Sequence, residues 1–256
     1  MTMVPDASAA PGPARLRREV AVLLAGIALA VACSGAVGLL PSTPTTAGQL
    51  GQGILRFAAV WLPLGVAAVS VHGRPRRRDL VGLRFGLREA VAALGIVLVP
   101  RTVQSLLAGL DDVSGSGPTL VPTVSQTGQE AAITLAVAAL VLLVVGPVVH
   151  AVVFQAVLQP RLTKLTAGAP EVSARASTVG VVASAALATA VLPLTLTSML
   201  TGRTAYEIVL ELGTTLVIVS LAGGLRVLVG RSGGVVLVYA LLTLTASAGA
   251  AAVIVG

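Results

Sequence analysis

The feature that most constrains this chain is the spacing of its apolar runs. Seven stretches near twenty residues each are separated by segments that hold nearly all of the charge; they lie near residues 20–40, 53–72, 89–110, 130–158, 176–198, 205–224 and 234–255. A helix rises about 1.5 Å per residue, so twenty residues cross the roughly 30 Å hydrocarbon core of a bilayer. In lipid the backbone must satisfy its own hydrogen bonds, and apolar runs of this length do so as helices. A mean hydropathy of +0.97 with only 11% charged residues excludes an ordinary soluble domain. Aromatic residues make up 2%, so close approach through Ala, Gly and Val is the expected packing mode. The expected fold is all-α, a polytopic transmembrane helical bundle of about seven spans in the cell membrane.

The connections fix an orientation. PSTPTTAGQLGQ (41–52), DDVSGSGPTLVPTVSQTGQ (111–129) and MLTGRT (199–204) carry one basic residue between them, Arg203. The amino-terminal tail with Arg15, Arg17 and Arg18, GRPRRRDLVGLRFGLR (73–88), QPRLTKLTAGAPEVSAR (159–175) and RVLVGRSGG (226–234) carry 14 of the 17 Lys and Arg. Basic and non-basic connections alternate, and by the positive-inside bias the amino terminus lies in the cytoplasm and the carboxyl terminus outside. Three regions follow: a disordered tail (1–18), amino-terminal helices and loops (19–129) and a carboxyl-terminal membrane domain (130–256).

A formal net charge of +7 does not point to nucleic acid, because no basic face carries polar or aromatic readers beside it. The basic connections instead suit anionic lipid headgroups, the 73–88 segment above all. A lone cysteine, Cys33, excludes an internal disulfide. The first apolar run is longer than a signal-peptide core and reads as a retained span.

Ionisable groups within spans are costly and are the first functional candidates. Arg101, His150, Glu207 and Glu211 qualify. Arg101 and Glu211 fall at similar depth, roughly 14 and 9 Å below the outer ends of their spans, which allows an ion pair. Glu207 and Glu211 are four apart, so a carboxylate pair on one face is also open. Metal chemistry finds few ligands: His72 and His150 each close to the cytoplasmic end of a span, and Cys33 in the first. No phosphate-binding loop is present, and neither a metal nor a cofactor is expected.

The segment GPVVHAVVFQAVLQPRL (146–162) resembles the first signature of the CPBP family, the CAAX protease and bacteriocin-processing (Abi) membrane proteins. That signature reads Glu-Glu-x-x-Phe-Arg-Gly-x-Leu. Pro147, Phe154, Leu158 and Arg161 keep its frame, whereas His150 and Ala151 stand at the glutamates, Gln155 at the arginine and Ala156 at the glycine. SAALATAVLPL (184–194) is similar to the family's Phe-x-x-x-His helix, with Ala188 and Leu192 at those two positions, and GRSGGVVLVYALLTLTA (230–246) to its His-x-x-x-Asn helix, with Tyr239 and Thr243 there. In that family the glutamates are thought to activate a water for peptide hydrolysis, with His and Asn stabilising the new charge. Ala151 and Leu192 can do neither.

The resemblance therefore implies a degenerate member that kept the bundle, a scaffold or regulator binding a membrane-protein or lipid partner. An active endopeptidase rebuilt around His150, with Gln155, Tyr239 and Thr243 as helpers, is one alternative; equally, Gln155 and Tyr239 can bond across two helices for stability alone. A small transporter using Arg101, Glu207 and Glu211 is the other alternative. The orientation itself carries a test: a cysteine introduced at Arg77 in a Cys33→Ala background should react with an impermeant maleimide only after the cells are opened. Labelling in intact cells would reverse the topology.

Overall fold

A computed structural model describes residues 12–41, 46–72, 84–111, 140–167, 174–195 and 204–255. Every regular element among them is helical. We number them α1 (Pro13–Gly38), α2 (Thr46–His72), α3 (Leu87–Asp111), α4 (141–167), α5 (Ala174–Thr195), α6 (Ala205–Val229) and α7 (Gly233–Val255). Helices α1 to α6 are each long and apolar enough to cross a membrane, and α7 is apolar along its described length. The chain is thus a polytopic helical membrane protein.

Local chemistry sets the helix ends. Pro13 occupies the first turn of α1, where its missing N–H costs nothing. Thr204 caps α6: its hydroxyl accepts from Glu207 N, and the Glu207 carboxylate accepts from Thr204 N. At the other end Gly230, at φ 72°, donates back to the Arg226 carbonyl and stops the helix.

Helix α4 is the centre of the bundle. Of its membrane-length window 56% is buried, against 11% for α3, whose Val91, Leu98, Val103 and Leu106 stay exposed as lipid-facing side chains. Around α4 pack α2, α5 and α7, while α1 pairs with α2 and α3 leans on α6 and α7. Small residues allow the close approach: a Cβ on Gly26 of α1 would press on Ala67 and on the Pro63 carbonyl of α2.

The ends that carry the basic residues gather together. Arg161 near the end of α4 donates to Glu19 of α1 at 2.8 Å and to the Val71 carbonyl of α2 at 3.4 Å. Thr166 donates to Ala176 of α5, and Gly234 of α7 lies against Glu89 of α3. The alternation of basic and non-basic connections therefore corresponds to an up-and-down bundle.

One stretch departs from α-helical geometry. Val141–Val145 and Ala151–Leu158 are π-helical, and Gln159 N–H reaches the Phe154 carbonyl five residues back rather than four. Pro160 has no N–H to give. The Gln155 carbonyl, whose next donor in the π pattern would be residue 160, is left without a helical partner. Arg226 of α6 supplies one: Nη1 donates to the Gln155 carbonyl and Nη2 to the Ala156 carbonyl at 3.4 Å, while Nε donates to Ser232 Oγ at 3.3 Å.

Several boundaries differ from the sequence expectation. Residues 13–18, assigned to the tail, are helical, because the arginines extend α1 beyond its apolar run. Residues 46–52 belong to α2 and 159–167 to α4, so the polar QPRLTKLTA continues a helix rather than forming a connection. Arg226 lies inside α6 rather than in the following loop, held by the carbonyls it satisfies. The expected tail before residue 12, most of the basic 73–88 segment, the 112–129 connection and the first part of the fourth run lie outside the described residues.

The Pro160 and Arg226 pairing predicts coupled stability effects. Arg226→Met should lower the unfolding free energy in micelles by about 1–3 kcal/mol, the cost of an orphaned buried carbonyl. Pro160→Ala in the same chain should recover part of that loss by returning an N–H. Strictly additive effects of the two changes would show that the arginine does not serve this carbonyl.

Candidate functional site

Two polar clusters lie inside the bundle. The first joins α3 to α6. Arg101 Nη1 donates to Glu211 Oε2 at 2.8 Å and to Gln104 Oε1 at 2.6 Å, and Gln104 Nε2 donates to the same Glu211 oxygen at 2.7 Å. The side chains of Arg101 and Glu211 are 15% and 3% exposed, so the pair is shielded from solvent. Gln104, one turn from Arg101, completes a triangle that the sequence reading did not include; the three-residue spacing was the available signal.

Glu207 is not part of this cluster. Its carboxylate turns back to the α6 amino terminus, accepting from Thr204 N at 2.6 Å and Thr204 Oγ1 at 3.0 Å. The carboxylate pair with Glu211 that the spacing left open is not formed; Glu207 makes a capping box instead. The Thr-x-x-Glu spacing of residues 204–207 announces that role, since a carboxylate at the third helical position meets free N–H groups.

The second cluster is built on α4 and α7. Tyr239 OH donates to Gln155 Oε1 at 3.1 Å, across a sequence gap of 84 residues. His150 lies one turn before Phe154 on the same face, and its ring sits among three aromatic rings: Trp61 edge-on at 4.4 Å, Tyr239 at 5.1 Å and Phe154 at 5.4 Å between centroids. In a chain with one Trp, two Tyr and three Phe, this gathering makes the core around α4 the most densely aromatic place in the protein. His150, Gln155 and Tyr239 are 2%, 0% and 1% exposed. His150 was expected near the cytoplasmic end of its span; because α4 runs on to Ala167, the residue sits deep inside instead.

The other residues singled out in the sequence have little chemistry to offer here. Ala151 and Leu192 are buried apolar side chains of the main core. Thr243 donates at 2.8 Å to the Tyr239 carbonyl one turn back in its own helix, so its hydroxyl does not orient Gln155. One ring nitrogen of His150 bonds to the Gly146 backbone; His150 Nε2, Gln155 Nε2 and Trp61 Nε1 have no hydrogen-bond partner among the described residues. No carboxylate bonds to the ring there. Cys33 is half-buried in α1, and His72 ends α2 with its side chain outside the described residues. Among the described residues no three His, Cys, Asp or Glu side chains converge as a metal site would require.

Trp61 and Arg226 are the two members of this region that the sequence did not single out. Trp61 is the chain's one indole, placed in an apolar run without a periodic signal. Arg226 was legible in principle, since a proline that follows directly on an apolar helical run leaves a carbonyl one turn back that requires a donor from elsewhere.

Comparison of the chain with family models, with curated proteins and with solved structures gives no match.

The Arg101 cluster generates a stability prediction. Arg101→Met leaves the Glu211 carboxylate buried without its guanidinium and should cost about 3–5 kcal/mol, read as a lower Tm in micelles. Arg101→Met combined with Glu211→Met should recover most of the loss, because two apolar side chains then replace two buried charges. A double variant as unstable as the single one would contradict a clamp that acts only between these helices.

Proposed function

We propose that this chain is a non-catalytic multi-pass membrane protein, a scaffold or regulator with a frame like that of the CPBP intramembrane proteases. The resemblance rests on Pro147, Phe154, Leu158 and Arg161 in frame, together with the order of the later Gly-Ser-entered helix. What supports the loss of catalysis is the sealing of the signature positions. Hydrolysis needs a base that can take a proton from water and donors aimed at the developing oxyanion. His150 is instead enclosed by rings, and Gln155 and Tyr239 are bonded to one another.

Two polar features define what remains. The Arg101 and Glu211 pair, bridged by Gln104, favours a fixed α3–α6 contact over a moving transport site, since each group is held by the others. The basic ends gathered on the side expected to face the cytoplasm suit an anionic membrane surface. One observation favours a rebuilt endopeptidase instead: His150 Nε2 and Gln155 Nε2 have no hydrogen-bond partner among the described residues, and Tyr239 touches both residues.

The purified full chain in liposomes decides between these readings. Offered a panel of prenylated CAAX-type peptides and unmodified transmembrane peptides, it should release no more product than empty liposomes do. Cleavage by the wild type that disappears in both His150→Asn and Gln155→Met would replace the scaffold reading with the protease one.

A further inference from the structure

Outside both clusters, a pocket of about 180 Å³ opens between α4, α5 and α6 at the basic end of the bundle. Its polar lining comprises Gln159, Thr163, Lys164, Ser177 and Arg226. These residues supply two cations, two hydroxyls and a carboxamide, and no carboxylate is among the lining residues. Lys164 is the only lysine of the chain. It has no hydrogen-bond or ion-pair partner among the described residues, in contrast to Arg161 one turn earlier, which is paired with Glu19.

Each group has a defined part. The N–H groups of Arg226 are directed to protein oxygens, so it contributes positive potential, and Lys164 is the free donor. Gln159 is 2% exposed, and its Nε2 is held by the Gly223 carbonyl at 3.2 Å. That bond fixes its Oε1 as an acceptor, and Oε1 has no partner among the described residues. Two glycines keep the room: a Cβ on Gly223 would stand 3.2 Å from Gln159 Oε1, and one on Gly180 would collide with Thr163.

We propose that this pocket binds a phosphate ester that also carries a hydroxyl, the headgroup chemistry of phosphatidylglycerol. Phosphate oxygens meet Lys164, Thr163 and Ser177, as a point charge with two neutral donors suits a phosphodiester. A phosphodiester alone has no proton for Gln159 Oε1; a glycerol hydroxyl does. An ammonium-bearing headgroup also offers a donor, but it brings a cation toward Lys164 and Arg226. The pocket lies near the end of α4 and the start of α5, and helix ends of membrane-length helices are where headgroups are met.

The single lysine makes the test direct. The full chain is placed in nanodiscs of phosphatidylglycerol, of phosphatidylserine at the same surface charge, or of phosphatidylcholine with and without glycerol 3-phosphate, and acylation of Lys164 is followed by peptide mass. Acylation should be about fivefold slower in phosphatidylglycerol than in phosphatidylserine. Protection only by soluble glycerol 3-phosphate keeps the site and names a soluble ligand as its source. Equal rates in all four settings overturn the proposal. Ser177→Ala and Gln159→Leu, each checked for an unchanged Tm, should abolish the difference between the two anionic lipids; full protection persisting in both variants also overturns it, because the lipid then acts without this pocket.

Discussion

In hydrocarbon an unbonded backbone carbonyl has no water to turn to, and this constraint organises the centre of the protein. Pro160 removes a donor within the central helix α4, the helix widens to π geometry over Ala151–Leu158, and Arg226 arrives from α6 to satisfy the Gln155 carbonyl. A guanidinium that serves backbone oxygens must be held in place, and Ser232 at the entry to α7 accepts from it. Through one arginine, α4, α6 and the start of α7 become a single unit. The resemblance to a protease signature falls on this same stretch, so the widened helix is both the structural hub and the place where chemistry would be sought.

The same low dielectric explains why polar side chains inside the bundle are found in contact with one another. Arg101 Nη1, Gln104 and Glu211 Oε2 bond to one another, and Tyr239 serves Gln155 Oε1. A catalytic centre requires the opposite condition, a polar group open to substrate and water. The pocket beside Lys164 meets that condition better than the His150 cluster does, since Lys164 is exposed and has no partner among the described residues.

Several parts of this arrangement were legible in the residues. The apolar runs and the alternating basic connections anticipated an up-and-down helical bundle, and similar depth below the outer ends of their spans put Arg101 and Glu211 within reach of one another. For Glu207 the four-residue spacing to Glu211 left a carboxylate pair open; the Thr204 cap three residues earlier takes the carboxylate instead, since free helix N–H groups are obligatory donors. The end of α4 was misplaced. Polarity in Gln159–Ala167 suggested a loop, yet in a bundle a helix continues past the apolar zone wherever its polar side chains find partners, as Arg161 does at Glu19.

By itself the sequence determined the fold class and the helical elements, because membrane partition depends on hydropathy summed over about twenty consecutive residues, a local quantity. Only the tertiary structure decided which polar groups meet. Arg101 and Glu211 are 110 residues apart, Gln155 and Tyr239 84, and Arg226 and the Gln155 carbonyl 71. Such encounters depend on how helices rotate about their axes and which of them are neighbours, and that is set by packing across the whole bundle rather than by any one segment.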